Sequence, residues 1–414
     1  MTGSVLGIDF GTSNSAAGML LDGRPHLFEM EDGERTLPTS FFFEFDTKET
    51  LIGTPAVRAL IDGNEGRFMR ALKRVLGTSL MHERRSLLGR QVTFVDIIGQ
   101  FLRDLKTRSE AQSGLVFERA LSGRPVRFHG EDMEKEARAE ADLRACYLAA
   151  GFQEVSFIAE PEAAALASGV DLSGPSKGLI VDIGGGTSDF SLFQQGAGGG
   201  VEIIANHGVR IGGTDFDRSL SIECVMPLLG RGSLIGQVLG DGRQPAPNAI
   251  FNDLATWEKI PFLYAGKTRK MVAEMEKLAL EPVKLGRLAE VLRSELGHDL
   301  AFAVEAGKIE ANARTQALID LGVIEKGLVA TLGRANFEHA LEGLVGKISN
   351  ASQDVLEMAG CDASEVQSVV YVGGSSLVSL VPAAMKRIFP HAEHQFSEVF
   401  TAVADGLAIA SGRP

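Results

Sequence analysis

The chain has 414 residues, 44% apolar and 23% charged, with a formal net charge of −13. It is too long for one hydrophobic core, so about two to four domains are expected. The acidic balance disfavours a nucleic acid or an anionic membrane surface as partner. Cys146, Cys224 and Cys361 lie far apart with no Cys-x-x-Cys pair, which argues against a disulfide framework and a zinc site. With no basic leader and no apolar run approaching about 18 residues, the expectation is a soluble, cytoplasmic protein.

Val5 to Leu20 reads as a strand ending at Asp9, a turn through Gly11, Thr12, Ser13 and Asn14, and a second strand. Asp22-Gly23 forms a hairpin turn into Pro25–Met30. Leu37–Gly53 is a strand region whose Phe41, Phe42, Phe43 and Phe45 belong to a core. Ala56–Leu76 is helical in pattern and carries Lys73 and Arg74, for which a solvated basic face is the default. Phe94–Lys106 is an amphipathic helix, and Ala120–Phe128 a strand interrupted by Gly-Arg-Pro. Glu131–Ala150 is a long helix. The short strand Val155–Ala159 runs into Glu160-Pro161, where proline suits the first turn of a helix. Glu160 thus stands at a strand-to-helix junction, a place where a carboxylate can simply face the helix dipole.

Ser173–Lys177 reads as a crossing between lobes. Leu179–Phe193 then repeats the pattern of the first strands: an apolar run to Asp182, then Gly184, Gly185, Gly186, Thr187, Ser188 and Asp189, then a second apolar run. Glycines at a strand end let backbone N–H groups approach an oxyanion. Carboxylates beside them would suit a hydrated divalent cation carried by a phosphate. Either stretch alone could be an ordinary hairpin. Together they suggest a duplicated domain with both turns facing one cleft.

Gly196–Gly200 reads as a hairpin tip. Ile211–Asp217 is a glycine turn, through Gly212 and Gly213, into a helix over Phe216–Leu229. Gly230–Pro247 reads as a loop. Lys267–Leu280 and Val283–Ala313 are helical, Gln316–Gly322 and Gly327–Gly333 are strands, and Phe337–Ala359 is a helix. Gln367–Val378 is a buried strand followed by Gly373-Gly374 and a helix start capped by Ser375 or Ser376. Such a junction commonly receives a ribose or an α-phosphate. Val399–Ser411 is the last helix.

Five segments, Gly7–Ser15, Glu160–Leu166, Val181–Asp189, Ile211–Asp217 and Val372–Ser376, together resemble the actin-like ATPase superfamily. Within it the chain is similar to the ATPase domain of heat-shock 70 kDa (DnaK-type) chaperones, and looks most like their short YegD-like members. The likeness spans nearly the whole chain. Lys73 in Ala-Leu-Lys-Arg-Val-Leu-Gly, the Gly-Gly-Gly-Thr-Ser-Asp ending at Asp189, and Ile-Gly-Gly-Thr-Asp-Phe-Asp favour the chaperone branch over rod-shape filament proteins. Sugar kinases fit less well, since no catalytic-aspartate motif of their type lies between the two phosphate turns.

The resemblance implies an α/β fold of two ribonuclease-H-like lobes, each with a smaller subdomain, and a nucleotide in the cleft between them. Lobe I would comprise a core at 1–37 and 114–175 with a subdomain at 38–113. Lobe II would comprise a core at 176–217 and 334–414 with a subdomain at 218–333. The bound species would be ATP or ADP with Mg²⁺, and K⁺ as a candidate monovalent ion. Gly11, Thr12, Ser13 and Asn14 would hold the β- and γ-phosphates, and Gly184, Gly185, Gly186 and Thr187 would do so from the other lobe. Asp9 and Asp182 would hold the water shell of Mg²⁺, with Asp189 and Thr187 as a monovalent-cation site. Glu160 would orient the attacking water, and Lys73 would stabilise charge on the γ-phosphoryl group. Phosphoryl transfer needs positioning and charge neutralisation more than covalent chemistry, so such a set suffices. Gly212, Gly213, Gly373, Gly374 and Ser375 would complete the nucleotide site.

At the adenine end the pattern departs from the family. Glu305 and Lys308 could still take the ribose hydroxyls, but the two arginines that usually cover the base are replaced by Ile309 and Leu377. Losing two cation–π contacts forfeits about 0.5–2 kcal/mol each, so weaker or less selective base binding is expected. The chain also ends at Pro414, after the last ATPase helix, so no C-terminal peptide-binding domain is expected. Three functions stay open: an ATPase switch closing its lobes for an unknown protein partner, a nucleotide sensor without turnover, and an actin-like filament protein.

Overall fold

The computed structural model describes residues 4–129, 132–167, 176–195, 201–237, 242–396 and 401–412. Two sheets carry the two glycine turns. In the first, the strand order is Glu154–Ala159, Arg119–Arg124, Val5–Phe10, Asn14–Leu21, Arg24–Leu27. In the second it is Glu393–Phe396, Val366–Val372, Ser176–Ile183, Ser188–Gln195, Val201–Val209. Each sheet therefore contains three antiparallel strands joined in sequence and two parallel strands added beside the first of them, and the first sheet adds the short strand Leu37–Pro38 against Asn14–Leu21. The repeat suspected from two short motifs extends to the strand order of the whole sheets. Because parallel strands need long crossovers, each repeat recruits strands that are distant in sequence.

The short turns follow from local chemistry. Asp22 and Gly23 both take positive φ (50° and 76°) and close the hairpin between the second and third strands. The helix Phe94–Ser113 begins at a Thr93–Asp96 capping box and stops at Gly114 in the left-handed conformation. It packs along Met133–Ala149. Phe41, Phe42 and Phe43 are buried as expected, while Phe45 is 39% exposed. The last helix, Ala402–Ser411, lies on the first sheet and against Glu160–Ala167. The approach is so close that a Cβ on Gly406 would stand 1.7 Å from the Ala163 carbonyl oxygen. This contact fixes the short helix that begins at Glu160.

Several expectations are corrected. Ala56–Leu76 is not one helix. The helix Thr54–Ile61 ends at Asp62-Gly63, with Gly63 at φ 73°, and a strand Gly66–Arg70 and a 3-10 turn Leu72–Val75 follow. Gly230–Pro247 holds a small hairpin, Leu234–Gly236 with Arg243–Pro245. Val283–Ala313 is two helices, Pro282–Arg293 and Gly297–Ala313, broken where Glu295 adopts φ 57°. Gly373 leads into a 3-10 turn, Gly374–Leu377, with no side-chain cap, and the helix starts only at Leu380. The strand Glu393–Phe396 has no counterpart in the expectations. Residues 173–175, Gly196–Gly200, Glu131 and 399–400 lie outside the described residues.

The chain divides into two compact units, Met1–Gly213 with Val345–Pro414, and Thr214–Leu344. Among the described residues no helix is long and apolar enough to cross a membrane.

Candidate nucleotide-phosphate site

The first unit gathers both glycine turns and their carboxylates. Asp9 stands one residue before the end of the strand Val5–Phe10, opposite Ala16, and Asp182 pairs in register with Asp189 across the second hairpin. The first turn is held by Gly11 N–H donating to Ser15 Oγ at 3.2 Å and Thr39 N–H donating to the Ser13 carbonyl at 2.8 Å. The two turns interlock. A Cβ on Gly185 would lie 2.6 Å from Ser13 Oγ and 3.1 Å from Thr12 Cβ, and one on Gly186 would lie 3.0 Å from Thr12 Oγ1. Only hydrogen at these positions lets backbone meet side chain so closely.

The other predicted segments of this unit close on the second turn. Gly213 N–H donates to the Gly184 carbonyl at 2.9 Å. A Cβ on Gly212 would meet Gly186 N at 2.5 Å, and one on Gly213 would meet Ser375 Oγ at 2.3 Å. Gly373, at φ 77°, sits where a Cβ would lie 2.4 Å from the Ile183 carbonyl oxygen and 2.8 Å from Asp182 Oδ1. The second turn is thus backed by two further glycine pairs. Gly374 and Leu377 are exposed beside them, and Asn14 is exposed at the edge of the first turn.

Lys73 and Glu160 form a buried ion pair, Nζ to Oε1 at 2.5 Å. The expectation of a solvated lysine therefore fails: Lys73 is only 7% exposed. The carboxylates around it are crowded. Burial, with the charge of Glu160 added and Lys73 opposing, raises the Asp9 carboxyl to about 7. Burial and then Glu160 raise Asp189 to about 8, against hydrogen bonds from Thr187 and from the Val126 N–H. Asp182 is pushed well above the carboxylate range by burial, then Glu160, Asp189 and Asp9. Lys73 is raised in spite of its burial, because Glu160 and Asp9 outweigh the desolvation. One ammonium does not neutralise four carboxylates, so the cluster suits an added cation. Among the described residues no three His, Cys, Asp or Glu side chains converge to ligate one ion directly.

Beside this cluster lies a pocket lined by Thr12, Lys73, Arg74, Pro125, Phe128, His129, Gly186, Thr187 and Arg210. Pro125, Phe128, His129 and Arg210 are not among the residues expected from the sequence; the Gly-Arg-Pro interruption of a strand points to Pro125 alone.

The second unit holds the other predicted nucleotide residues on the helix Gly297–Ala313. Ile309 is 65% exposed, and Glu305 is half-buried. Lys308 is buried and pairs with Asp217, Nζ to Oδ1 at 2.7 Å.

Two glycine turns apposed on duplicated sheets, with carboxylates at the strand ends and a buried lysine, define a nucleotide-binding domain with the actin-like ATPase fold. The family model described as "Hsp70 protein" matches residues 5–227 and 295–412, and the chain belongs to that family. It is accordingly a nucleotide-binding domain of the chaperone ATPase type.

Proposed function

We propose that the chain binds ATP with Mg²⁺ at the paired turns and hydrolyses it to ADP and phosphate, and that the change of nucleotide moves two lobes whose closure a partner protein reads. The lobes are those expected from the sequence: cores at 1–37 with 114–175 and at 176–217 with 334–414, carrying subdomains 38–113 and 218–333. The observation that carries the reading is the buried Lys73–Glu160 pair, set beside two interlocked glycine turns and three carboxylates with raised pKa values.

In the turns Gly11–Asn14 and Gly184–Thr187, the Gly11 and Gly184 N–H groups brace the turns by donating to Ser15 Oγ and the Thr187 carbonyl, and the N–H groups between them hold the β- and γ-phosphates. Asp9 and Asp182 accept from the water shell of the magnesium ion, and Asp189 with Thr187 offers oxygens to a monovalent ion such as K⁺. The magnesium ion supplies charge neutralisation on the phosphate oxygens. Lys73 faces the γ-phosphoryl group, and Glu160, drawn to the same ammonium, orients the attacking water and accepts its hydrogen bond. A short chaperone-family ATPase of the YegD-like kind is the corresponding description.

Phosphate release by the wild type is to be compared with Lys73→Ala and Glu160→Gln. Each variant should be slower by about 10²–10³, with MgATP binding retained in Glu160→Gln. A wild type no faster than both variants would remove hydrolysis from the reading.

The base end supports a looser hold. Ile309 and Leu377 are exposed aliphatic side chains, and the Lys308 ammonium is already paired with Asp217. Binding of ATP with weak preference over other nucleoside triphosphates follows, and competition calorimetry with GTP tests it.

A further inference from the structure

We propose that His129 is a positioning residue that locks Arg210 across the phosphate pocket, and that the lock opens when His129 is protonated. This deepens, and rests on, the nucleotide-site reading above.

Arg210 follows the strand Val201–Val209 and precedes the Gly212-Gly213 turn that backs Gly185 and Gly186. Its Nη2 donates to the Arg74 carbonyl at 2.7 Å, and its Nη1 meets His129 Nδ1 at 3.0 Å. His129 Nε2 in turn meets the Leu76 carbonyl at 2.5 Å. A carbonyl only accepts, so Nε2 carries hydrogen. A guanidinium only donates, so Nδ1 offers its lone pair. The two partners thus select a neutral ring in one tautomer, assigned from the hydrogen-bond network.

The lock joins two segments that bear on the same pocket. One is the turn Leu72–Val75, which carries Lys73 and the Arg74 carbonyl. The other is 210–213, which presses on the second phosphate turn. In the lobe division proposed above these segments belong to different lobes. Arg210 therefore sets the placement of Lys73 relative to Gly186 without having to touch the nucleotide.

Charges face His129 from each neighbouring element. Glu136 and Lys135 come from the helix Met133–Ala149, and the Glu136 carboxylate accepts the N–H groups of Phe128 and His129. Arg210 faces Nδ1, and Lys73 and Arg74 line the pocket. Burial first, with Arg210 and Lys135, holds the imidazole below its ordinary value, against the Leu76 carbonyl and Glu136. The neutral ring and the lock therefore persist through neutral pH. As pH falls through the lowered folded value, the ring gains a proton at Nδ1, loses its acceptor lone pair and sets a cation against the guanidinium.

Hydrogen–deuterium exchange of the ligand-free chain, corrected for intrinsic rates, tests this at about pH 7.5 and at a pH below the His129 titration, located on the same sample by the ring nitrogen shifts. In the wild type, protection of 71–78 should fall about tenfold at the lower pH. Arg210→Gln should show the low protection at both. His129→Asn, whose Oδ1 accepts from Arg210 at either pH, should remove the pH dependence. Equal protection in the wild type and Arg210→Gln, or full pH dependence in His129→Asn, overturns the lock. Nitrogen chemical shifts of wild-type His129 give a reading that needs no variant: the Nε2–H tautomer near pH 7.5 is required, and the Nδ1–H tautomer overturns the proposal. MgATP calorimetry on the same samples separates the two readings. Pocket exchange behaving as stated without MgATP binding sinks the nucleotide reading and leaves the lock standing. MgATP binding with pH-independent protection sinks the lock alone.

Discussion

Replacing Asp9 by asparagine should stabilise the ligand-free protein while weakening its hold on magnesium nucleotide. The Asp9 carboxyl, 3.8 in the unfolded chain, is raised to about 7 by burial and by Glu160. An acid raised on folding costs nothing below its unfolded value, where both states are protonated. Its cost grows as pH rises through the interval and is complete above the folded value. At about 1.4 kcal/mol for each pH unit between the two values the full cost is about 4 kcal/mol. Asp9 keeps partial solvent contact, and screening trims this to about 2–4 kcal/mol. Asparagine keeps the shape and carries no charge, so it should recover that amount at about pH 8 and almost none at about pH 4.

The assay is thermal or urea unfolding of wild type and Asp9→Asn with chelator present, across that pH range, with MgATP calorimetry on both near pH 8. Both proteins should lose stability as pH rises, the wild type more steeply, because Asp189, raised to about 8, acts with the same sign in each. A variant no more stable than wild type near pH 8, or one whose gain is the same at both ends, refutes the reasoning. So does undiminished MgATP affinity, since the same charge that strains the free fold is the one assigned to the hydrated metal.

Further substitutions probe other parts of the molecule. Gly212→Ala forces a Cβ to within 2.5 Å of Gly186 N and should cost about 1–3 kcal/mol of stability, read by melting, with a parallel loss of MgATP affinity. Lys308→Met removes the ammonium from buried Asp217 and should cost about 3–5 kcal/mol, most of it recovered in the Lys308→Met, Asp217→Leu double variant. Ile309→Arg and Leu377→Arg should each strengthen ATP binding by about 0.5–2 kcal/mol, visible in calorimetry as a gain in affinity of up to about thirtyfold.

The candidate site is legible in the sequence wherever its geometry is local. Asp9 with Gly11–Asn14, and Asp182 with Gly184–Asp189, are each one strand end and one turn, so residue order alone carries them. Asp22-Gly23 closes the expected hairpin for the same reason. What sequence could not carry is set by contacts between distant segments. By residue type alone Lys73 reads as a solvated basic residue in Ala56–Leu76; the likeness of Ala-Leu-Lys-Arg-Val-Leu-Gly to a family motif singles it out, but nothing in those residues reveals that Glu160 will bury it. The same stretch breaks into helix, strand and 3-10 turn because Gly66–Arg70 is claimed by the sheet edge of Ser40–Glu44, a tertiary pairing that overrides the local helical pattern. His129 and Arg210 are invisible for a related reason. Each is an isolated polar residue in its own segment, and only their meeting at 3.0 Å gives either one a chemical part. A duplicated fold of this kind writes its phosphate turns twice in the sequence. The residues that couple the two copies are written once each, at positions fixed by packing and not by period.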